Sequence, residues 1–261
     1  MNFLKKSLGQ NFLIDKNIIK KIVNLTEIRN KNIIEIGPGK GALTDEILKE
    51  KPKSLILIEK DDKFVKELRL KYDLNRVVRI LNSDILKIDI QKIIKENTTI
   101  FGNLPYNISS QILVKFLRLK NTPLKFKNII FMFQKELGKK ISGKYLTLNY
   151  SRISILTKYK FEIVKNFLVS PNCFFPRPKI DSMVIHFQPV KRNKYFIKNI
   201  LNLEKITNIL FSNKRKMINK NITKILKSDQ IEKMKNLNLK SRPSDLKPDI
   251  YYRITELFEQ K

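Results

Sequence analysis

Three glycines directly after a strand-like run mark the first place where the chain could bind a ligand. Gly37, Gly39 and Gly41 follow the run at 32–36 and precede a helix-like segment. Glycines permit a tight turn and let a ligand approach the backbone closely, and the beginning of a helix offers free N–H groups. The pattern G-x-G-x-G is neither the dinucleotide fingerprint nor a Walker A loop. It predicts either a plain strand-to-helix turn or a site for another adenosine ligand, such as S-adenosylmethionine.

Two acidic residues stand at the ends of the next two strand-like runs. Glu59 follows Gly37 by 22 residues, which is close to the spacing of carboxylates that accept hydrogen bonds from ribose hydroxyls. Asp84 could accept the exocyclic amine of an adenine, with Ile85 against the ring. Asp84 and Ser83 are also natural helix or turn caps, and taken alone the pair favours that structural role.

The segment Asn103-Leu104-Pro105-Tyr106 is the most specific pattern in the chain. An adenine amine is a poor nucleophile because its lone pair is delocalised into the ring. The Asn103 side-chain oxygen and the Leu104 carbonyl would accept its two N–H bonds and free that lone pair. Pro105 fixes the backbone that presents the carbonyl, and Tyr106 offers a flat face to a base. The structural alternative is a type I turn containing proline.

These motifs can form one site only if strands and helices bring the strand ends together. The first two-thirds of the chain has the pattern of such strands and helices. Strand-like and helix-like segments alternate, which predicts an α/β fold with a parallel sheet covered on both faces. Two later strands without a helix between them predict an antiparallel edge. The predicted strands are 32–36, 55–59, 77–81, 99–103, 128–133, 158–164 and 182–188, and the predicted helices are 62–72 and 109–119.

The pattern changes near residue 190, after which only helical periodicity is present. The predicted helical segments there are 206–211, 218–226 and 248–257. Residues 191–261 hold 18 basic and 7 acidic residues, a net charge of +11. We therefore expect a sheet domain at 1–190 and a small, basic helical domain at 191–261.

Composition excludes several classes of protein. The chain has 261 residues, a formal net charge of +30, one cysteine (Cys173) and one histidine (His186). The charge indicates a polyanionic partner, and the single cysteine and histidine argue against a disulfide scaffold, a zinc cluster or a histidine-based triad. The longest apolar run, 129–133, is too short to span a membrane, and no apolar signal region follows the first residues. We expect a soluble cytoplasmic protein without a metal.

With these motifs in place, the chain resembles the KsgA-type small-subunit ribosomal RNA adenine N6-dimethyltransferases. Three further matches carry the resemblance, and all of the motifs run in family order between about residues 7 and 187. They are the G-Q-N-F-L signature at 9–13, the segment F-M-F-Q-K-E at 131–136 and the segment F-F-P-R-P-K-I-D-S at 174–182.

The resemblance implies a doubly wound, Rossmann-like class I methyltransferase sheet with a C-terminal all-helical domain. It implies S-adenosylmethionine as the cofactor and 16S ribosomal RNA, within a precursor of the 30S subunit, as the partner. Each of two adjacent adenosines near the RNA 3′ end would take two methyl groups. The implied cofactor residues are Gln10, Asn11, Leu13, Gly37, Gly39, Glu59, Asp84, Ile85 and Asn103. The implied catalytic residues are Asn103, Leu104, Pro105, Tyr106 and Phe174, with Tyr106 and Phe174 on the two faces of the flipped adenine.

One departure and several alternatives remain at this stage. The family's Y-G-R-L-S stretch reads Tyr150-Ser151-Arg152-Ile153-Ser154, and we expect the loss of glycine to stiffen a loop near the RNA. The alternatives are a 23S ribosomal RNA adenine methyltransferase of the antibiotic-resistance type, which Leu104 disfavours, and a non-catalytic nucleic-acid-binding factor. A DNA adenine methyltransferase is disfavoured because no target-recognition domain is evident. A monomer is the default expectation.

Overall fold

The computed structural model describes residues 11–120, 125–234 and 237–260. The chain divides into two compact units, Met1–Gly138 with Ile163–Pro189 and Lys139–Glu162 with Val190–Lys261. The predicted domains differ from these units by the segment at 139–162, which groups with the C-terminal helices. Within the described ranges, no helix has both the length and the apolar character needed to cross a bilayer.

A seven-stranded mixed sheet forms the centre of the first unit, with a two-stranded sheet beside it. The strands are β1 (Phe12–Leu13), β2 (Asn32–Ile36), β3 (Ser54–Glu59), β4 (Val78–Asn82), β5 (Thr98–Asn103), β6 (Phe126–Gln134), β7 (Phe161–Val169), β8 (Phe174–Phe175) and β9 (Ser182–Pro189). The large sheet has the order β4-β3-β2-β5-β6-β9-β7. Strands β2 to β6 are parallel, and β9 pairs antiparallel with β6. The predicted parallel sheet and antiparallel strand are confirmed.

Helices connect the parallel strands and build most of the second unit. They are α1 (Lys16–Val23), α2 (Ala42–Lys49), α3 (Asp62–Tyr72), α4 (Ser109–Leu117), α5 (Lys135–Ile141), α6 (Arg152–Lys160), α7 (Ile200–Phe211), α8 (Asn219–Ile222), α9 (Ser228–Glu232) and α10 (Pro248–Glu259). Helix α3 buries Phe64, Val65, Leu68 and Tyr72, the residues that its helical spacing predicts to face the sheet. Asp61 begins this helix by accepting a hydrogen bond from the backbone N–H of Lys63.

The prediction was wrong around residue 158, where it placed a strand. Residues 158–160 are the end of α6, and β7 begins at Phe161. Helix α6 buries the consecutive residues 154–157, so its apolar residues lack the helical period that reveals an amphipathic helix. The predicted helix at 218–226 is also shorter, because only Asn219–Ile222 is helical there.

A short pairing between β1 and β8 joins segments from opposite ends of the first unit. Phe12 pairs with Phe175 and Leu13 pairs with Phe174. The backbone N–H of Ile14 then donates to the carbonyl of Cys173 at 2.8 Å. This pairing joins the G-Q-N-F-L segment to the F-F-P-R-P segment, which sequence patterns did not predict.

Tyrosines from both parts of the second unit hold that unit together. The Tyr252 hydroxyl donates to the Ile155 carbonyl at 3.0 Å, and its ring lies 5.1 Å from the ring of Tyr159. The Tyr251 hydroxyl donates to the Pro243 carbonyl at 2.6 Å. Helix α10 is therefore fixed to α6, which precedes it by about ninety residues.

The single histidine lies in a buried polar network between β6 and β9. His186 Nε2 is 2.8 Å from Asn128 Oδ1, which also accepts a hydrogen bond from Gln188. The Asn128 amide in turn donates to the hydroxyls of Thr26 and Thr99. His186 thus satisfies a polar network inside the sheet, away from the strand ends that carry the motifs.

We expect His186 to make the fold sensitive to acid. Burial, with Lys165 acting in the same direction, lowers the pKa of His186 below its ordinary value. The unfolded chain therefore takes up this proton at a higher pH than the folded chain, and the free energy of unfolding falls as the pH decreases below about 6.5. In His186→Gln, whose amide can still donate to Asn128, this loss should disappear.

Urea unfolding of both proteins between about pH 5 and 8 measures the effect. Because the chain has one histidine, the difference between the two profiles reports on this side chain alone. Parallel profiles would contradict the expectation.

Candidate active site

A cavity of about 630 Å³ lies where β2, β3 and β5 end. Gly37 follows β2, Glu59 ends β3 and Asn103 ends β5. The carboxyl ends of neighbouring parallel strands meet at one edge of a sheet, which is where open α/β sheets bind ligands. The cavity brings together nine of the predicted site residues: Asn11, Leu13, Gly37, Gly39, Glu59, Asn103, Leu104, Pro105 and Tyr106.

The remaining predicted residues are placed elsewhere. Asp84, Ile85 and Phe174 are not among the residues that line the cavity. Gln10 lies outside the described residues.

The glycine-rich turn has a backbone that other residues would not adopt easily. Gly37 and Gly39 have φ angles of +66° and +55°, in the region that favours glycine. A Cβ atom on Gly39 would lie 2.9 Å from a carbon of the Phe12 ring. The ring also packs edge-to-face on Phe64 at 5.4 Å. Gly39 therefore allows the β1 segment to lie directly against the turn.

Glu59 is held in place by backbone N–H groups. Its Oε2 accepts from Gly39 at 3.1 Å, and its Oε1 accepts from Lys60 and Asp61 at 2.8 and 2.9 Å. A carboxylate has about four acceptor positions, so these bonds from described residues leave Oε2 able to accept one more. Burial raises the pKa of Glu59, and the backbone hydrogen bonds act against that rise. The carboxyl is thus oriented at the cavity wall with one acceptor position available.

Asp84 is a turn cap in this structure and is paired with a lysine. Its Oδ1 accepts from the backbone N–H of Leu86 at 2.9 Å, and its Oδ2 lies 2.9 Å from Lys60 Nζ. The Lys60 ammonium lowers the pKa of Asp84. Ile85 beside it is 6% exposed. A turn cap was one of the two roles that the sequence allowed for Asp84.

Asn103 is oriented by the N-terminal segment. Its amide nitrogen donates to the backbone carbonyl of Asn11 at 3.0 Å. With the nitrogen engaged, the Oδ1 atom is the acceptor end of the amide, and none of the described residues donates to it. The Leu104 side chain packs close to Gly102, where a Cβ atom would lie 2.6 Å from Leu104 Cδ2. Asn11 and Gly102 therefore fix the first two residues of the N-L-P-Y segment.

Tyr106 joins this segment to the start of β9. Its hydroxyl and that of Ser182 share a hydrogen bond, and Ser182 is fully buried. Burial raises the pKa of Tyr106, so its hydroxyl is neutral near pH 7. The ring is thereby held at the cavity wall as an uncharged aromatic surface.

Phe174 lies in the hydrophobic core, at 3% exposed. Its partner in the β1–β8 pairing is Leu13, which is also 3% exposed, whereas Phe175 is 63% exposed. Successive side chains of a strand point to opposite faces, so the pairing that buries Leu13 buries Phe174 and turns Phe175 outward. Phe174 therefore packs beside Leu13, and its place opposite Tyr106 on the target base stays a prediction.

The cavity contains charged residues that sequence reasoning missed. Glu35 is 1% exposed, lines the cavity and accepts a hydrogen bond from the Thr44 hydroxyl at 2.6 Å. Burial raises the pKa of Glu35 to about 8. An acidic residue inside an otherwise apolar strand was the signal that could have identified it. Lysines from α1, the turn and α2 also line the cavity: Lys16, Lys20, Lys40 and Lys49.

The sheet order and the position of the cavity are those of the class I methyltransferase fold. Two solved structures share this architecture. A dimethyladenosine transferase from Plasmodium falciparum has a TM-score of 0.79 at 22% identity, covering 95% of this chain and 98% of that one. The 23S rRNA methyltransferase ErmE has a TM-score of 0.71 at 23% identity, covering 96% of this chain and 100% of that one. At such identities the likeness shows the fold alone.

Sequence comparison identifies the family within this class. The chain matches the ribosomal RNA adenine dimethylase family over residues 1–260. It is 43% identical over 256 residues to a Ribosomal RNA small subunit methyltransferase A from Pelagibacter ubique (strain HTCC1062), covering 98% of this chain and 97% of the relative. It is 38% identical to the protein of that name from Malacoplasma penetrans (strain HF-2), covering 97% of this chain and 91% of the relative. The chain belongs to the ribosomal RNA adenine dimethylase family, as its motifs predicted.

We expect the Glu35 carboxyl to oppose stability at alkaline pH. Its folded pKa of about 8 exceeds the ordinary value of 4.5, so the folded protein holds this proton more tightly than the unfolded chain. The free energy of unfolding therefore falls as the pH rises from about 4.5 through about 8, by roughly 1.4 kcal/mol for each unit of pKa difference. Glu35→Gln, whose amide oxygen can still accept from Thr44, should lose much less stability over this range.

Urea unfolding at about pH 5, 7 and 9 tests this expectation. Glu27→Gln is the matched control because the Glu27 side chain is 74% exposed. If Glu35→Gln and Glu27→Gln showed the same dependence on pH, the assignment of the effect to Glu35 would be wrong.

Proposed function

We propose that the protein transfers methyl groups from S-adenosylmethionine to the N6 atoms of two adjacent adenosines near the 3′ end of small-subunit ribosomal RNA. The observation that carries this proposal is the N-L-P-Y segment at the cavity, with Asn103 oriented by Asn11. Family membership and the names of the relatives support the same reaction. The products are N6,N6-dimethyladenosines, and the methylation takes place during assembly of the small subunit.

The cavity fits S-adenosylmethionine in size and in its acceptors and donors. Its volume of about 630 Å³ lies within the usual range of small-molecule sites. The remaining acceptor position on Glu59 Oε2 suits a ribose hydroxyl, and Gly37, where a Cβ atom would meet only the Asn103 carbonyl oxygen at 3.9 Å, leaves room for a ligand against the turn. When bound, S-adenosylmethionine supplies a methyl group that its sulfonium makes electrophilic. Asn11 and Leu13 cover the cavity from the β1 side, and Asp84 with Ile85 would extend the site toward the adenine.

The target amine is activated by acceptors and by alignment. Asn103 Oδ1 and the Leu104 carbonyl would accept the two N–H bonds, which favours a tetrahedral nitrogen with its lone pair directed into the cavity. Pro105 restricts the backbone that presents the carbonyl. Because Tyr106 is neutral, it stacks on the base and takes no proton. The methylated amine is acidic enough to lose its proton to water, so the rate depends mainly on positioning.

Phe174 is proposed to stack on the second face of the target adenine. Its side chain is buried with Leu13, and Leu13, which is buried to the same extent, lines the cavity. Pairing of β1 with β8 joins Phe174 to the segment that orients Asn103.

The second unit is proposed to bind the RNA, and the protein is proposed to act as a monomer in the cytoplasm. The helical residues 191–261 carry a net charge of +11, which suits phosphate contacts without sequence readout.

A filter assay with radiolabelled S-adenosylmethionine tests the proposal. The substrates are under-methylated 30S particles, naked 16S RNA, 23S RNA and duplex DNA. About four methyl groups per 30S particle on two adjacent adenosines would support the proposal, because each N6 amine accepts two. Label in 23S RNA alone would replace it with the resistance-type activity. Absence of label with cofactor still bound would indicate a non-catalytic binding factor.

Asn103→Ala should separate turnover from cofactor binding. The substitution removes an acceptor that acts on the reacting amine, so we expect kcat to fall on the order of 10²-fold while the Kd for S-adenosylmethionine changes little. Asn107→Ala is the matched control because Asn107 is exposed and does not line the cavity. Near-normal methylation by Asn103→Ala would refute the assigned role.

RNA binding should depend strongly on salt, whereas cofactor binding should not. A chain with a net charge of +30 that makes six or more phosphate contacts is expected to lose about 10³-fold in RNA affinity between about 50 and 200 mM salt. The cofactor is small and makes no comparable set of phosphate contacts, so its Kd should change far less. Filter binding and calorimetry over the same salt series measure both quantities, and equal slopes would count against the proposal.

A further inference from the structure

The second unit contains a loop, residues 143–150, in which two tyrosines donate hydrogen bonds to the backbone of Asp245 and Leu246. The Tyr145 hydroxyl donates to the carbonyl of Asp245 at 3.0 Å, and the Tyr150 hydroxyl donates to the carbonyl of Leu246 at 2.9 Å. The two tyrosine rings pack edge-to-face with centroids 5.9 Å apart. We call this segment the clamped loop.

Hydrogen bonds within the clamped loop give it a fixed shape. The backbone N–H and the hydroxyl of Thr147 both donate to the Lys144 carbonyl, at 3.1 and 2.7 Å. The backbone N–H of Tyr150 donates to the Thr147 carbonyl at 3.0 Å. A Cβ atom on Gly143 would collide with the backbone of Asn149, so the two sides of the loop lie in close contact.

This fixed loop displays two leucines to solvent. Leu146 is 74% exposed and Leu148 is fully exposed, at 105%. Leu146 also has a φ of +65°, a left-handed conformation that leucine adopts only at a cost in energy. Single exposed leucines are common on protein surfaces. Two leucines held outward by a strained, hydrogen-bonded loop indicate a surface shaped for a partner.

The charges of the chain segment that contains the clamped loop indicate the chemistry of that partner. Residues 137–161 contain six basic residues and no acidic ones: Lys139, Lys140, Lys144, Arg152, Lys158 and Lys160. Lys140 and Lys144 are exposed, while Asp245 and Asp249 are the acidic residues near the loop's tyrosines. Apolar side chains on a lysine-rich stretch suit a partner that combines flat apolar surfaces with negative charge. Nucleic acid has both, because its bases are flat and apolar and its phosphates are anionic. Leucine is among the side chains that proteins insert between bases.

We propose that the clamped loop is an RNA-contacting wedge, in which Leu146 and Leu148 pack against unstacked bases of the substrate while neighbouring lysines contact phosphates. This inference rests on the proposed function, because an adenine must leave its stack before its N6 atom can react. The wedge supplies apolar contacts that replace part of the stacking lost around the target adenosines.

The test uses a double variant that does not strain the loop. Leu146→Asn/Leu148→Asn removes both apolar side chains, and asparagine tolerates the left-handed backbone at 146 better than leucine does. The matched control is Leu70→Asn/Leu74→Asn, which alters two leucines of the first unit that are 84% and 94% exposed. Both variants and the wild type are assayed with naked 16S RNA and with under-methylated 30S particles.

We expect the loop variant to bind naked 16S RNA about tenfold more weakly than the wild type does, with a matching loss in kcat/KM for RNA. Its Kd for S-adenosylmethionine and its thermal stability should equal those of the wild type. A 2-aminopurine placed beside the target adenosines should fluoresce less with the variant than with the wild type, because its neighbours remain stacked. The control variant should match the wild type in every measurement.

Two results would overturn the wedge. One is a loop variant that binds and methylates naked 16S RNA as the wild type does. The other is a loss confined to 30S particles, which would assign the leucines to a ribosomal protein. Methylation and RNA binding are measured separately. A wild-type protein that binds 16S RNA without methylating it would overturn the proposed function. The role of the loop would still be tested by comparing the RNA affinities of the loop variant and the wild type.

Discussion

The parallel register of β2, β3 and β5 is the constraint on which the site depends. Ile36 pairs with Ile58 on one side and with Gly102 on the other, so the three strands end at the same level. Residues that directly follow these pairs, at 37, 59 and 103, are then neighbours although 66 positions of sequence separate the first from the last. A shift of one residue in either pairing would turn the side chains at these ends to the other face.

The β1–β8 pairing is a second constraint on the site, and only a few residues form it. Two residue pairs and the bond from Ile14 to Cys173 hold the β1 segment over the strand ends. From there Phe12 contacts Gly39, and the carbonyl of Asn11 fixes the Asn103 amide. The orientation of the Asn103 side chain thus depends on Asn11, 92 positions earlier, and through β1 on residues 173–175, about 70 positions later.

Features carried by local sequence were predictable, and features created by distant contacts were not. The strand ends, the glycine turn and the position of Asn103 follow from alternating patterns and turn residues, and motif order identified the family. The burial of Phe174 depends on its pairing with Leu13, which no local pattern encodes. Glu35 was overlooked because a charged residue in a buried strand contradicts the usual preference for apolar residues. Helix α6 was missed because its buried residues are consecutive and resemble a strand.

The second unit is assembled from two stretches of chain, 139–162 and 190–261, with strands of the first unit encoded between them. Its tyrosine contacts join the two stretches, since Tyr252 bonds to Ile155 and Tyr150 bonds to Leu246. During synthesis on a ribosome, α6 therefore emerges long before the helix that it packs against. The unit cannot complete its core until α10 has been made, and the tail beginning at 190 does not contain a whole folding unit. Expression of that tail alone would leave the Tyr252 hydroxyl without the Ile155 carbonyl, whereas Tyr251 would keep its bond to Pro243.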